Sequence, residues 1–220
     1  MDENRDRTEY RPVVTIILIV LNVLAFGIQT ISGGSESTSV LVKLGASYTP
    51  YIVEDGQWYR LFTPMFLHIG VEHLAMNMLA LFATGQYVEQ YFGRVRFILL
   101  YILSGIAGNA LTLFSELFLT HRFVVSAGAS GAISGLFGAI VILAIDPRTR
   151  KYFPLPRVLL GLLFLILPSG AKDINIVAHL GGMICGFVLA FCFYMMTPLH
   201  RQRQCSDSES DSESEPPVQI

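Results

Sequence analysis

Six apolar runs interrupt the polar positions of the chain, at Pro12 to Ile31, Phe66 to Val88, Phe97 to Leu117, Ser130 to Ile145, Val158 to Gly170 and Ile174 to Met196. A helix crossing the ~30 Å hydrocarbon core of a bilayer needs roughly 20 apolar residues, so the runs predict six membrane spans. The fifth is short and the fourth is rich in small residues. The first is too long for a signal-peptide core and no small-x-small cleavage site follows it, so it reads as a retained helix. The longest loop, Ser32 to Gln57, is itself partly apolar at Val40, Leu41, Val42, Leu44, Tyr48, Tyr51 and Ile52, and is expected to fold back onto the membrane surface.

Composition agrees with this pattern. The 220 residues are 52% hydrophobic and only 15% charged, outside the balance of a soluble domain. The expected fold class is all-α, a polytopic bundle of six transmembrane helices spanning residues 12–198. A cytoplasmic segment, 1–11, precedes it. A tail, 199–220, alternates serine with acid, has no apolar face to bury, and should be disordered.

Charge then orients the bundle, because Lys and Arg collect on the cytoplasmic side. With the N-terminus inside, the inner segments hold Arg5, Arg7, Arg11, Arg94, Arg96, Arg148, Arg150, Lys151, Arg157, Arg201 and Arg203. The outer ones hold Lys43, Arg60, Arg122 and Lys172. That split favours both termini in the cytoplasm of a multi-pass protein of the cell membrane, and spans two, four and six then start at the outer face. Cys185, Cys192 and Cys205 show no metal or disulfide spacing. No metal site and no cofactor are expected, and no nucleic-acid partner.

Polar residues inside spans are costly and therefore candidates for function. Setting aside Asn22, Asn109, the hydroxyl residues and Glu116 at the outer edge of the third span, they are His68, Glu72, His73, Asn77, Gln86, Glu89 and His179. His73 and Asn77, four positions apart, share one helix face. At 1.5 Å rise per residue, His73, Asn77 and His179 fall one to three turns below the outer surface, in the same layer as Ser130 at the top of its helix. Small residues recur at Gly128, Gly131, Gly135 and Gly138, and again at Ala178, Gly182, Gly186 and Ala190. Such stripes let helices approach closely in lipid, which would bring Ser130 to His179, and a serine hydroxyl needs an adjacent base to become nucleophilic. Each residue also has a plain structural reading: a membrane serine back-bonds to its own helix, and a lone histidine satisfies a neighbour. It is their conjunction at one depth that favours chemistry. The soluble G-x-S-x-G elbow is excluded, since it needs glycine at Ala132.

On these residues the chain resembles the rhomboid proteases, from the first span to the last. Gly128-Ala129-Ser130-Gly131 resembles their GxSG motif, Ala178-His179 with Gly182 and Gly186 their AHxxGxxxG, and His73 with Asn77 their HxxxN. Trp58-Tyr59-Arg60 approximates the Trp-Arg pair that ends the first loop, and Gly85, Glu89 and Gly93 resemble the G-x3-E-x3-G of span two. The resemblance implies a Ser130 nucleophile and a His179 base, with no third carboxylate, since Asp173 lies too far up its loop. It implies an oxyanion hole of His73, Asn77 and the Ser130 N–H, with transmembrane segments of other proteins as substrates. Ser134 stands where many members carry an aromatic that stacks on the histidine, so support for His179 must come from elsewhere, and Phe137 is one candidate. Two other readings remain: an inactive rhomboid-like protein that binds membrane clients, and a small transporter, for which no internal repeat is seen.

Overall fold

The structure is a computed structural model and describes residues 10–147, 149–154, 156, 158, 161 and 175–196. Bilayer interior offers no water to peptide groups, so a spanning chain must satisfy its backbone within each segment as helix. The long elements are α1 (Val13–Ile31), α4 (Gly70–Phe92), α5 (Arg94–Ser115), α6 (Ser130–Ile145) and α7 (Ile176–Met195). Two short helices, α2 (Thr38–Lys43) and α3 (Thr49–Val53), and two 3-10 turns, Trp58–Leu61 and Thr63–Phe66, build the loop after α1.

Five of the six predicted runs are thus helical, with shifted ends. The second run opens as a 3-10 turn, and its α-helix begins only at Gly70, whose φ of 80° breaks the backbone direction. The third run starts three residues early, at Arg94, and closes in a π-turn, Glu116–Thr120. Of the fifth run only Val158 and Gly161 are described, both helical, and the rest of it lies outside the described residues, as does the tail 199–220.

Side-chain placement in α1 reports the solvent. Thr15, Asn22 and Gln29, a heptad apart, are 0% exposed, whereas Ile17 is 50% and Leu24 59% exposed. Polar residues face the protein and aliphatic ones face outward, the inversion expected when the surroundings are hydrocarbon. By length and composition α1, α5 with its π-turn, and α7 can each cross a membrane, and α6 is a shorter apolar helix.

Packing around α6 depends on missing side chains. A Cβ on Gly182 would fall on the Gly131 carbonyl, and one on Gly186 on the Gly135 carbonyl. The contacts advance together along both helices, so α6 and α7 run parallel. α5 is antiparallel to them, with Ser104 at Gly135 and Gly105 at Ala132. α1 is antiparallel to α4, joined by Thr15 to Glu89 at one end and Gln29 to His68 at the other.

Candidate active site

Ser130 is the first residue of α6, where a helix leaves its leading N–H groups without intrahelical partners. The turn that delivers it passes through Gly128, whose φ of 144° suits glycine alone. A second constraint acts at the same residue. A Cβ on Gly128 would lie 2.8 Å from His73 Cε1 and 3.0 Å from His73 Nε2, while only 3.6 Å from Ser130 Oγ. The glycine keeps open a gap with the His73 ring nitrogen on one side and the serine hydroxyl on the other.

The loop carrying Gly128 is fastened on three sides. Ser126 exchanges both backbone hydrogen bonds with Ser47, at 2.9 and 3.0 Å, and Gly128 N–H donates to the Pro64 carbonyl at 2.9 Å. Buried Glu116, in the π-turn, accepts from Val124 N–H at 3.2 Å and from the Thr49 hydroxyl. Arg60, 4% exposed, holds the first loop from within: its Nη1 donates to the Val42 and Ala46 carbonyls, both at 2.8 Å, and its Nε to Gln57 Oε1 at 2.7 Å. Its guanidinium also lies over the Tyr51 and Tyr59 rings.

His179 is buried in the first turn of α7, where its N–H donates to the Asn175 carbonyl at 3.2 Å. The preceding carbonyl, of Ala178, is wedged between two glycines. A Cβ on Gly108 of α5 would come within 2.5 Å of it, and one on Gly131 of α6 within 3.5 Å. Gly131 follows Ser130 and Ala178 precedes His179, so the close approach of α6 and α7 joins the neighbours of the two residues directly.

Asn77 is buried one turn below His73 and donates one amide hydrogen to the His73 carbonyl at 2.8 Å. A primary amide has a second N–H, which that bond leaves for other use. The His73 ring packs edge-on against the His68 ring, with centroids 5.3 Å apart. His68 stands in the turn before α4, fully buried, its backbone gripped by Gln29: Nε2 donates to the His68 carbonyl at 2.9 Å and Oε1 accepts its N–H at 3.0 Å.

The remaining polar candidates divide differently. Glu72 is exposed in the first turn of α4, and Gln86 is half-buried. Glu89 is fully buried at the far end of α4 and caps α1, accepting from Val14 N–H at 3.0 Å and from Thr15 N–H and Oγ1, both at 2.8 Å. The Tyr10 hydroxyl donates to it as well, at 3.3 Å. Burial, and then the Glu89 carboxylate, push the Tyr10 phenol above its ordinary value, so it remains a donor at neutral pH. Gly85 gives Thr15 room, for a Cβ there would lie 2.8 Å from Thr15 Cγ2. Glu89 and Gly85 therefore lock α1 to α4, away from Ser130.

Ser134 Oγ donates to the Ser130 carbonyl at 2.7 Å, turning back on its own helix. Phe137 lies against Gly161 and, at about 100° per residue, stands roughly 200° round α6 from Gly135, off the face that meets α7. Sequence reasoning missed Gln29 and Asn175. Gln29 was visible as a polar residue closing an apolar run, and Asn175 as an N-cap residue immediately before one.

An inverted helical bundle with a polar gap at one end defines a multi-pass integral membrane protein. Compared with protein families, residues 55–196 match the Rhomboid domain, and the chain belongs to the rhomboid family. Among curated proteins it is 38% identical over 182 residues to "Rhomboid protease GluP" of Bacillus subtilis (strain 168), covering 82% of this chain and 34% of that protein. It is 29% identical over 213 residues to "Rhomboid protease AarA" of Providencia stuartii, covering 86% of this chain and 75% of that protein. It is also 39% identical over 163 residues to "RHOMBOID-like protein 6, mitochondrial" of Arabidopsis thaliana, covering 72% and 51% respectively. Thus the chain spans about a third to a half of the length of the first two curated relatives by similarity, GluP and RHOMBOID-like protein 6.

Proposed function

We propose that this protein is an intramembrane serine endopeptidase that cleaves transmembrane segments of other membrane proteins near their extracytoplasmic end. The observation that carries the reading is the lodging of the Ala178 carbonyl against Gly131, the residues that adjoin His179 and Ser130 in the chain. His73 across the Gly128 gap supports it from a third helix.

In this reading Ser130 Oγ attacks the scissile carbonyl and His179 takes the hydroxyl proton. The carbonyl oxygen becomes an oxyanion, received by His73 Nε2, the second Asn77 N–H and the Ser130 N–H at the head of α6. Collapse breaks the C–N bond as His179 returns the proton to the leaving amine. Water, deprotonated by the same histidine, then hydrolyses the acyl-enzyme. A peptide bond inside a helix is shielded by its own hydrogen bonds, so substrates with small or helix-breaking residues near the outer boundary fit best. The lysine and arginine distribution supports both termini in the cytoplasm of a cell membrane protein, with the site facing outward.

A fluorophosphonate probe on detergent-solubilised protein tests this. Wild type is expected to label, and His179→Ala is not. A wild type that stays unlabelled assigns the chain to the inactive, client-binding members instead. Asn77→Ala is expected to lower kcat by about 10²-fold, the scale of one oxyanion donor, with little change in thermal midpoint. Parallel losses in both would make Asn77 structural.

A further inference from the structure

The base helix, α7, needs two coordinates fixed. Glycine packing against α5 and α6 sets its distance, and directional hydrogen bonds constrain position along the axis more sharply than dispersion contacts do. A polar node at its head supplies the missing coordinate. Asn175 Oδ1 accepts from Ala178 N–H at 2.9 Å, and because that backbone group can only donate, it settles which end of the amide is oxygen. The amide nitrogen is thereby directed to the Thr112 hydroxyl on α5, at 3.0 Å, and to the Ser126 hydroxyl, at 3.3 Å. Thr112 is buried, and its own hydroxyl reaches Asn175 Oδ1 at 3.2 Å and the Gly108 carbonyl at 3.1 Å.

The residues joined at this node have separate consequences. Gly108 is the α5 residue against which the Ala178 carbonyl is wedged. Ser126 lies four residues before Ser130, in the strand-like segment paired with Ser47. Asn175 lies four residues before His179 and accepts its N–H through the main chain. One side chain thus ties the helix of the base to α5 and to the loop of the nucleophile.

We infer that Asn175, through Thr112 and Ser126, is a positioning residue that sets the axial register of His179 against Ser130. This rests on the Ser130–His179 reading above, and it supplies a support for His179 in a chain that has Ser134 instead of an aromatic. Asn175 touches neither reacting group and acts only through the helix and loop it joins.

The test uses variants that spare the cap. Serine is also a good N-cap residue, but its hydroxyl is too short to bridge to Thr112 and Ser126 as well. Asn175→Ser is therefore expected to keep the wild-type thermal midpoint and KM while kcat and the fluorophosphonate labelling rate fall about 10- to 100-fold, the scale of a sub-ångström to 1 Å misplacement. Thr112→Val, equal in volume, is expected to lose rate similarly, and Thr112→Ser to recover it. Wild-type kcat in Asn175→Ser overturns the inference, as does a rate loss in every variant that merely follows its thermal midpoint. If wild type labels and Asn175→Ser labels equally fast, the protease reading stands and this inference falls. An unlabelled wild type overturns both.

Discussion

Ser130→Ala is expected to abolish cleavage of a transmembrane substrate in reconstituted vesicles, with kcat reduced by at least about 10³-fold, and to remove fluorophosphonate labelling altogether. The fold should survive the change. Ser130 Oγ faces the gap beside Gly128, whereas the intrahelical bond in this turn uses the Ser130 carbonyl, which alanine retains. Thermal midpoint in detergent should accordingly stay within a few degrees of wild type. A serine and its base act as one unit, so the Ser130→Ala/His179→Ala double variant should be no slower than either single one. Labelling that persists in Ser130→Ala would move the nucleophile elsewhere.

The largest loss of stability is expected from Glu89→Ala. Three of the donors that Glu89 satisfies, Val14 N–H, Thr15 N–H and Thr15 Oγ1, belong to the first turn of α1, which has no side-chain cap of its own. Removing the carboxylate leaves them unpaired in a site where Thr15 is fully buried, and each unsatisfied buried donor costs about 1–3 kcal/mol. The variant is expected to be destabilised by roughly 3–5 kcal/mol with partial rescue by water, read as the midpoint of denaturation in mixed micelles. Glu89→Gln, which keeps one acceptor and the shape, should lose about half as much. The Arg94 ion pair at 4.0 Å adds little, because its guanidinium is exposed. Wild-type stability in Glu89→Ala would show that α1 is held by its other contacts, such as those of Gln29 with His68.

Helix placement was legible because apolar runs long enough to span a bilayer have few alternative structures available to them. The ends were less so. The second run opens Phe66-Leu67-His68-Ile69 with His68 as its one polar residue, yet Pro64 and the positive φ of Gly70 delay the α-helix. Hydropathy does not register backbone dihedrals. Among the polar candidates, depth alone could not separate His73, which borders the Ser130 gap, from Glu72, one residue away and exposed. That choice turns on which face of α4 meets α6.

From sequence alone came the all-helical membrane class, the family resemblance, and the choice of Ser130 and His179 as candidates, because membrane length, costly polar residues and glycine spacing are written locally. Tertiary structure decided what surrounds these two residues. Gly131 against Ala178, His73 against Gly128, Glu89 under α1 and Asn175 against Thr112 join residues far apart in the chain. The periodicity of one helix reports that a face is buried, and only packing determines which helix buries it. Ser130 is therefore readable as a candidate through its conjunction with His179, His73 and Asn77 at one depth, while its surroundings are set by the helices that meet around it.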